Sequence, residues 1–201
     1  MERKGFFICV EGLDGCGKTT QAKMLVSKLK RMGYDALYTA EPSRGKIGIF
    51  IRNYCLHGND RVPSVVETLL FAADRFEHVE KEIKPALAGG KIVVSDRYLY
   101  SSLAYQGAAG LDLDWIRRVN VHALNPNLAI FIDVKPETVV QRLKPKKSVM
   151  ENIETQRKVR EVYLKLVKNG ELVKVDGNKG KEEVAGEILS IVLRSLRGST
   201  S

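Results

Sequence analysis

The sequence lacks the features that would place it in a membrane or in an oxidising compartment. No apolar run approaches the roughly 20 residues that a membrane-spanning helix needs, and residues 1–4 do not begin the apolar region of a signal peptide. The three cysteines, Cys9, Cys16 and Cys55, are odd in number and have no metal-binding spacing. We therefore expect reduced thiols, no zinc site, no membrane partner and a cytoplasmic location.

Acidic residues are also fewer than basic ones, which bears on the kind of partner. The 33 Lys and Arg against 24 Asp and Glu give a formal net charge of +9. No basic strand interleaved with aromatic residues accompanies this excess, so we expect no nucleic-acid partner. A polyanionic small substrate explains the charge equally well. The length of 201 residues, 44% of them hydrophobic, fits one domain over residues 1–201 with a frayed tail at 198–201.

The clearest positive feature is a glycine-rich motif directly after the apolar run of residues 6–10. It reads Gly, four residues, then Gly-Lys-Thr, the pattern of a loop whose backbone N–H groups bind phosphates. Lys18 would reach the terminal phosphates, and the Thr19 hydroxyl would ligate Mg²⁺. The residues assigned to the bound nucleotide are Gly12, Leu13, Asp14, Gly15, Cys16, Gly17, Lys18, Thr19 and Thr20.

Short apolar runs alternate with helical patterns along the chain. The predicted strands are residues 6–10, 35–39, 91–96, 128–134 and 172–175. This alternation predicts an α/β fold, a three-layer sandwich in which helices cover both faces of a five-stranded parallel sheet. Ligands bind at the carboxyl ends of such strands. Three polar stretches fall at predicted strand ends, namely residues 11–20, 41–44 and 96–106.

The longest helical pattern, residues 64–87, has two faces. The predicted core face consists of Leu69, Ala73, Phe76, Ile83 and Leu87. Phe71, Arg75 and His78 would lie about opposite. They either line a cleft or are ordinary contacts, with Phe71 a second buried residue and Arg75 a solvated charge.

An acidic residue, Asp96, ends the third predicted strand. Acids at this position commonly bind the Mg²⁺ of a nucleotide. The alternative is a structural salt bridge from Asp96 to Lys18 or Arg97.

Taken together, five stretches resemble the thymidylate kinases, a branch of the P-loop nucleoside monophosphate kinases. They are EGLDGCGKTTQ, EP, LLFAADRFEH, DRYLYSSLAYQG and an EN before a long helix, and their order and spacing match over nearly the whole chain. The resemblance implies a homodimer with a P-loop kinase fold that transfers the γ-phosphoryl group of Mg·ATP to dTMP, giving dTDP and ADP for dTTP synthesis. Two alternatives remain open: a kinase that also accepts dUMP or other deoxynucleotides, and a nucleotide-binding regulator with weak catalysis.

The resemblance also assigns roles on the acceptor side. Arg97 would clamp the dTMP phosphate and stabilise the transferring group, and Asp96 would orient Mg²⁺. Asp14 would lie near the dTMP 3′-hydroxyl, unless it only stabilises the loop turn. The other matched positions are Glu41 at the metal, Pro42 at the sugar, Arg52 at the monophosphate, Phe71 stacked on thymine, Arg75 at a pyrimidine oxygen, Ser102 and Gln106 in the base pocket, and Tyr105 against the deoxyribose C2′. For Glu41, Arg52 and Gln106, a supporting or surface role is the alternative.

A basic segment at about residues 143–150 is the predicted lid. Many thymidylate kinases carry a catalytic arginine in the phosphate loop or in the lid, whereas this chain has Cys16 in the loop and lysines in the lid. We therefore predict that a lid lysine, with Lys144 and Lys147 as the candidates, takes that role at the cost of slower turnover. Arg142, just before the lid, matches an arginine that stacks on adenine.

Overall fold

The computed structural model describes residues 5–56, 62–142 and 153–198, with the side chains of residues 140–142 outside that description. Its five strands are β1 (Phe6–Gly12), β2 (Ala36–Ala40), β3 (Ile92–Asp96), β4 (Leu128–Asp133) and β5 (Val173–Asp176). They form one sheet in the order β2-β3-β1-β4-β5, and each neighbouring pair is parallel. The predicted five-stranded parallel sheet is confirmed.

Helices fill the connections between the strands. They are α1 (Lys18–Arg31), α2 (Lys46–Ile51), α3 (Ser64–His78), α4 (Lys84–Ala88), α5 (Leu99–Ala108), α6 (Leu113–Val119), α7 (Pro136–Arg142), α8 (Ile153–Lys168) and α9 (Lys181–Gly198). A π-helical segment, Arg52–Leu56, continues α2, and another, Val79–Ile83, joins α3 to α4. In the described ranges, no helix combines the length and the apolar character that a membrane span requires.

The sheet is covered on both faces. Every residue of β1, β3 and β4 is buried, and successive side chains of a strand point to opposite faces, so helices must pack on each side. Helix α1 packs on α9, and α5 packs on α8. This arrangement confirms the sandwich predicted from the sequence.

The site residues converge because β1 is the central strand. It pairs with β3 so that Val10 lies opposite Asp96, and β2 pairs with β3 so that Ala40 also lies opposite Asp96. The carboxyl ends of β1, β2 and β3 therefore meet at one edge. This edge carries the phosphate loop, the Glu41–Pro42 turn and the segment that begins at Asp96.

The predicted apolar face of the longest helical run is wrong in its first half. Leu69 is 50% exposed and Ala73 is exposed, whereas the charged Arg75 and the imidazole of His78 are buried. Ile83, in the π-helical segment, is buried as predicted. The periodicity of apolar residues failed here because polar side chains that satisfy one another occupy the inner face of α3.

Candidate active site

Glycines shape the loop between β1 and α1. Gly12 has a φ of 155°, and a Cβ at this position would lie 2.6 Å from the sulfur of Cys16 and 3.0 Å from the carbonyl oxygen of Ile132. Gly17, with a φ of 97°, precedes the first helical residue, Lys18, in the left-handed region that favours glycine. A larger residue at either position would distort the loop, so the backbone has the geometry that the motif predicts.

Cys16 points into the protein rather than out of the loop. Its side chain is buried beside Gly12, and burial raises the pKa of its thiol. Cys16 therefore packs against the wall of the loop, and the transfer of the missing arginine's task to a lid lysine stays a prediction.

Lys18 and Thr19 begin α1 beneath the loop. The Lys18 amine donates to the carbonyl oxygen of Leu13 at 3.1 Å and lies 3.6 Å from a carboxylate oxygen of Asp14. The Thr19 hydroxyl donates to Oδ2 of Asp96. Both side chains therefore reach acidic or carbonyl oxygens at the edge where phosphates would bind.

Asp96 has the chemistry of a metal ligand. Its Oδ2 accepts from Thr19 and, at 3.3 Å, from the Tyr38 hydroxyl. Its Oδ1 is buried and has no hydrogen-bond partner among the residues that the structure describes. An unsatisfied anionic oxygen beside a threonine hydroxyl fits Mg²⁺, which prefers hard oxygen ligands. The alternative salt bridge from Asp96 to Lys18 or Arg97 is not the contact observed.

Arg97 follows β3 with an unusual backbone conformation. Its φ is 71°, the only positive φ outside glycine in the described ranges. Its N–H donates to the carbonyl of Val10 at 3.0 Å, and its carbonyl accepts from Ser95 Oγ at 2.7 Å. These two bonds hold a conformation that is unfavourable for a residue with a side chain, and such conformations are enriched at functional sites.

The Arg97 side chain meets the phosphate loop. Nη2 contacts Oδ1 of Asp14, Nη1 donates to Ser101 Oγ at 2.8 Å, and the guanidinium lies 4.9 Å from the ring centre of Tyr105. The Tyr105 hydroxyl donates to Oδ2 of Asp14 at 3.0 Å. Burial opposes ionisation of Asp14, but Arg97, Lys18 and the Tyr105 hydrogen bond outweigh it and hold the pKa of this carboxyl well below its usual value.

Arg75 lies in a separate, closed network. Its Nε and Nη2 bind Oε2 of Glu41 at 2.9 and 2.8 Å, its Nη1 donates to Asn120, and its Nη2 donates to Ser102 Oγ at 3.1 Å. His78 Nδ1 lies 3.2 Å from the other Glu41 oxygen. Glu41, predicted to contact the metal, is thus engaged by Arg75 and His78 in this structure.

The family assignment comes from comparison with known proteins. The chain matches the thymidylate kinase family model over residues 10–188. It is 44% identical to a probable thymidylate kinase of Pyrococcus abyssi, over 97% of this chain and 99% of the relative. It is 39% identical to the thymidylate kinase of Caldanaerobacter subterraneus, over 98% and 99% of the two chains. The chain belongs to the thymidylate kinase family.

The remaining predicted acceptor residues of this thymidylate kinase family member differ in their surroundings. Gln106 is buried, with Nε2 donating to Glu67 Oε2 at 3.2 Å and Oε1 without a partner in the described part of the chain. Arg52 donates to the carbonyl oxygens of Pro42 and of the next residue, both at 2.6 Å. Phe71 is partly buried. Arg52 therefore braces the Glu41–Pro42 turn.

Some predicted residues fall outside what the structure describes. The predicted lid, with Lys144 and Lys147, is not among the described residues, and neither is the side chain of Arg142. Their roles stay predictions. Gly15 and Thr20 are among the described residues, and both are exposed. Exposure is compatible with their predicted role, in which the backbone contacts the ligand.

Sequence reasoning gave no role to three residues that organise this edge. Asn120 accepts from Arg75, while Glu11 and Tyr163 bind each other at 2.9 Å beneath Ser101. Glu11 carried a signal in the sequence, since it is an acid at the end of an otherwise apolar central strand. Asn120 and Tyr163 carried none, because their contacts arise only when α6 and α8 pack.

Proposed function

We propose that the protein transfers the γ-phosphoryl group of Mg·ATP to dTMP, giving dTDP and ADP for dTTP synthesis. The observation that carries this proposal is the contact between Asp14 and Arg97. Asp14 belongs to the loop for the donor phosphates, and Arg97 is the arginine proposed for the acceptor phosphate. Phosphoryl transfer requires two anionic substrates held in line with their charge neutralised, and adjoining phosphate sites suit that requirement.

On the donor side, the backbone of residues 12–20 and the Lys18 amine would hold the phosphates. Lys18 would exchange its present acceptor, the Leu13 carbonyl, for oxygens of the terminal phosphates. Thr19 and Asp96 would hold Mg²⁺, which supplies neutralisation of phosphate charge when bound. The unpaired oxygen of Asp96 supports this assignment.

On the acceptor side, Arg97 would bind the monophosphate through two parallel hydrogen bonds, a geometry that guanidinium suits. Tyr105 would lie against C2′ of the sugar, where a ribose hydroxyl would find no partner, so a deoxynucleotide is preferred. Pro42 and Arg52 would face the sugar and phosphate. Phe71, Arg75, Ser102 and Gln106 would form the base site, and the unpaired Oε1 of Gln106 is an acceptor that a base N–H could satisfy.

A coupled assay with Mg·ATP across dTMP, dUMP, UMP, CMP and dGMP tests the proposal. We expect kcat/KM to be highest for dTMP and the ribonucleotides to react poorly. Lys18→Met is the inactive control, since it removes the amine without adding bulk. Efficient use of several deoxynucleotides would favour the broader kinase. No diphosphate product from any of the five acceptors above the Lys18→Met background would leave the regulator.

We further propose a homodimer formed through an exposed apolar surface on α2, the segment that continues it, and α3. This surface consists of Ile49, Phe50, Tyr54, Val65, Val66 and Leu69, each exposed by 41–50%. Monomers rarely expose so many neighbouring large apolar side chains. Light scattering should give twice the chain mass for the wild type and the chain mass for Leu69→Glu; a monomeric wild type would refute the dimer.

The cytoplasmic location stays a prediction.

A further inference from the structure

Glu11 is a fully buried acid that the proposed chemistry does not use. It lies at the end of β1, directly before the phosphate loop, and none of its surface is exposed. Its Oε1 accepts from the backbone N–H of Tyr98 at 2.8 Å. Its Oε2 accepts from the hydroxyls of Ser101 at 2.6 Å and Tyr163 at 2.9 Å. Donors from the turn before α5, from α5 itself and from α8 therefore converge on one carboxylate.

Two of these donors lead directly to Arg97. Tyr98 is the next residue in the chain, so its N–H fixes the carboxyl side of the left-handed Arg97 backbone. Ser101 accepts from Arg97 Nη1 at 2.8 Å with the same oxygen that donates to Glu11. Glu11 thus reaches both the backbone and the guanidinium of Arg97 without contacting either.

The charge on Glu11 determines the direction of these hydrogen bonds. A carboxylate only accepts, so the single proton of the Ser101 hydroxyl points to Glu11 and a lone pair faces Arg97. A glutamine at position 11 has nearly the same shape, but its N–H₂ group would face one of the three donors. Two donors cannot form a hydrogen bond with each other, so one of the three bonds would be lost. Burial raises the pKa of Glu11 to about 7 against the opposing effect of its hydrogen bonds and of Arg97, so keeping the ionised form there is costly.

We propose that Glu11 is a positioning residue for Arg97. It orients the Ser101 hydroxyl and anchors the turn at Tyr98, and so holds the Arg97 guanidinium beside Asp14, where the acceptor monophosphate would bind. This inference rests on the proposed role of Arg97. Tyr163 adds a contact from α8 to the same carboxylate.

The test compares a ligand that has the phosphate with one that lacks it. Calorimetric titrations at pH 8 would measure the dissociation constants of dTMP and thymidine for the wild type and Glu11→Gln. We expect about a tenfold weaker dTMP affinity, the size typical of a lost hydrogen bond to a charged group. Thymidine affinity should stay within about twofold, because Arg97 itself is assigned to the phosphate, while Asp14 and Tyr105 remain in place for the sugar. A purely structural role for Glu11 would weaken both ligands or neither.

Two further variants separate the possible outcomes. Arg97→Met should weaken dTMP alone; if it weakens both ligands equally, the proposed role of Arg97 fails. If Arg97→Met is selective and Glu11→Gln is not, the inference about Glu11 fails while the function stands. Asp133→Asn is the matched control, since Asp133 is a buried acid at the end of β4 whose side chain binds Arg160 at 2.7 and 3.0 Å; both affinities should be unchanged.

Ser101→Ala removes the same connection while it leaves the carboxylate in place. It should reproduce the selective loss of dTMP affinity, and the double variant Glu11→Gln/Ser101→Ala should be no weaker than the worse single variant. Ser101→Ala also keeps the inference testable if Glu11→Gln does not fold. Additive losses, or an unchanged dTMP affinity in Ser101→Ala, would overturn it.

Discussion

Two arginines lie at the edge where the carboxyl ends of β1, β2 and β3 meet, and their surroundings differ. The Arg75 side chain is 1% exposed, and the carboxylate that it binds, Glu41, is 2% exposed. The Arg97 side chain is 17% exposed, and its partner Asp14 is 34% exposed. Both arginines form ion pairs with an acid from a distant part of the chain, but only the second pair is open to solvent.

The difference separates a residue that shapes the site from one that is available to a ligand. Arg75 lies in α3 with its nitrogens bound to Glu41, Asn120 and Ser102, so moving it would leave several buried groups unpaired. Arg97 lies on a turn between β3 and α5, where a phosphate could replace Asp14. A site of this kind needs both types of arginine, because an exposed anion-binding group must be held in place by a fixed surround.

Removing the open arginine should have the largest effect, and on activity. Arg97→Met should lower kcat for dTDP formation by about 10³-fold, as expected for an arginine that stabilises a transferring phosphoryl group. Urea unfolding should change by less than about 1 kcal/mol, because partly exposed ion pairs contribute little to stability. Arg97→Lys keeps the positive charge but cannot form two parallel hydrogen bonds to one phosphate. Its kcat should lie between the values for the wild type and Arg97→Met. A loss of tenfold or less in Arg97→Met would contradict the comparison.

The closed arginine belongs to the proposed base site, and its removal should also lower stability. Arg75→Met leaves the Glu41 carboxylate buried without its ion pair, a change that costs about 3–5 kcal/mol. Urea unfolding at constant pH would measure it. The double variant Arg75→Met/Glu41→Gln should recover part of the loss, since it removes the unpaired charge. If Arg75→Met were as stable as the wild type, the view of Arg75 as part of the fixed surround would be wrong.

The pH dependence of stability should reveal the raised pKa of Glu11, the buried acid that we propose positions Arg97. The pKa of Glu11 is raised by burial from about 4.5 to about 7, so the folded state holds a proton that the unfolded state has lost between these values. Stability therefore falls as pH rises through this range, by about 3 kcal/mol in total. Glu11→Gln removes this term and should gain about that much relative to the wild type between pH 4.5 and 8.

The groups that face Glu11 do not obscure this measurement. Arg97, Tyr163 and the neighbouring Cys9 all have a pKa well above their usual values, and the remaining contacts are the Ser101 hydroxyl and the Tyr98 N–H. None of them titrates between pH 4.5 and 8. A stability difference between Glu11→Gln and the wild type that stays constant over this range would show that the Glu11 pKa is ordinary.

The smallest effect should come from an ion pair on the same helical run as Arg75 but on its outer face. Glu80 and Lys84 pair with 63% and 50% of their side chains exposed. Glu80→Gln should change the free energy of unfolding by less than about 0.5 kcal/mol, and less still in high salt. A loss above 1 kcal/mol would mean that burial is not what distinguishes the Arg75 pair.

The sequence predicted best those features that depend on the local backbone. The glycines at 12 and 17 indicated the loop, because glycine tolerates the positive φ angles that such a loop requires. The alternation of apolar runs with helical patterns indicated the parallel sheet. The order of the strands was not predicted, since it depends on pairings between distant segments. The direction of Asp96 toward the loop followed from its place at a strand end.

Predictions that depended on side-chain surroundings were less successful. The inner face of α3 was assigned to Leu69 and Ala73, yet Arg75 and His78 occupy it, because partners from other elements make polar burial possible there. Periodicity could not have shown this, because it contains no information about which side chains from other elements pack against a residue.

The central position of β1 also determines when the site can form during synthesis. The phosphate loop leaves the ribosome before the two strands on either side of β1, which are β3 and β4. The carbonyl of Ile132, which closes on Gly12, belongs to β4. A nascent chain that stops before Leu128 therefore lacks part of the wall behind the loop. Nucleotides should therefore be unable to assist folding before β4 has been made.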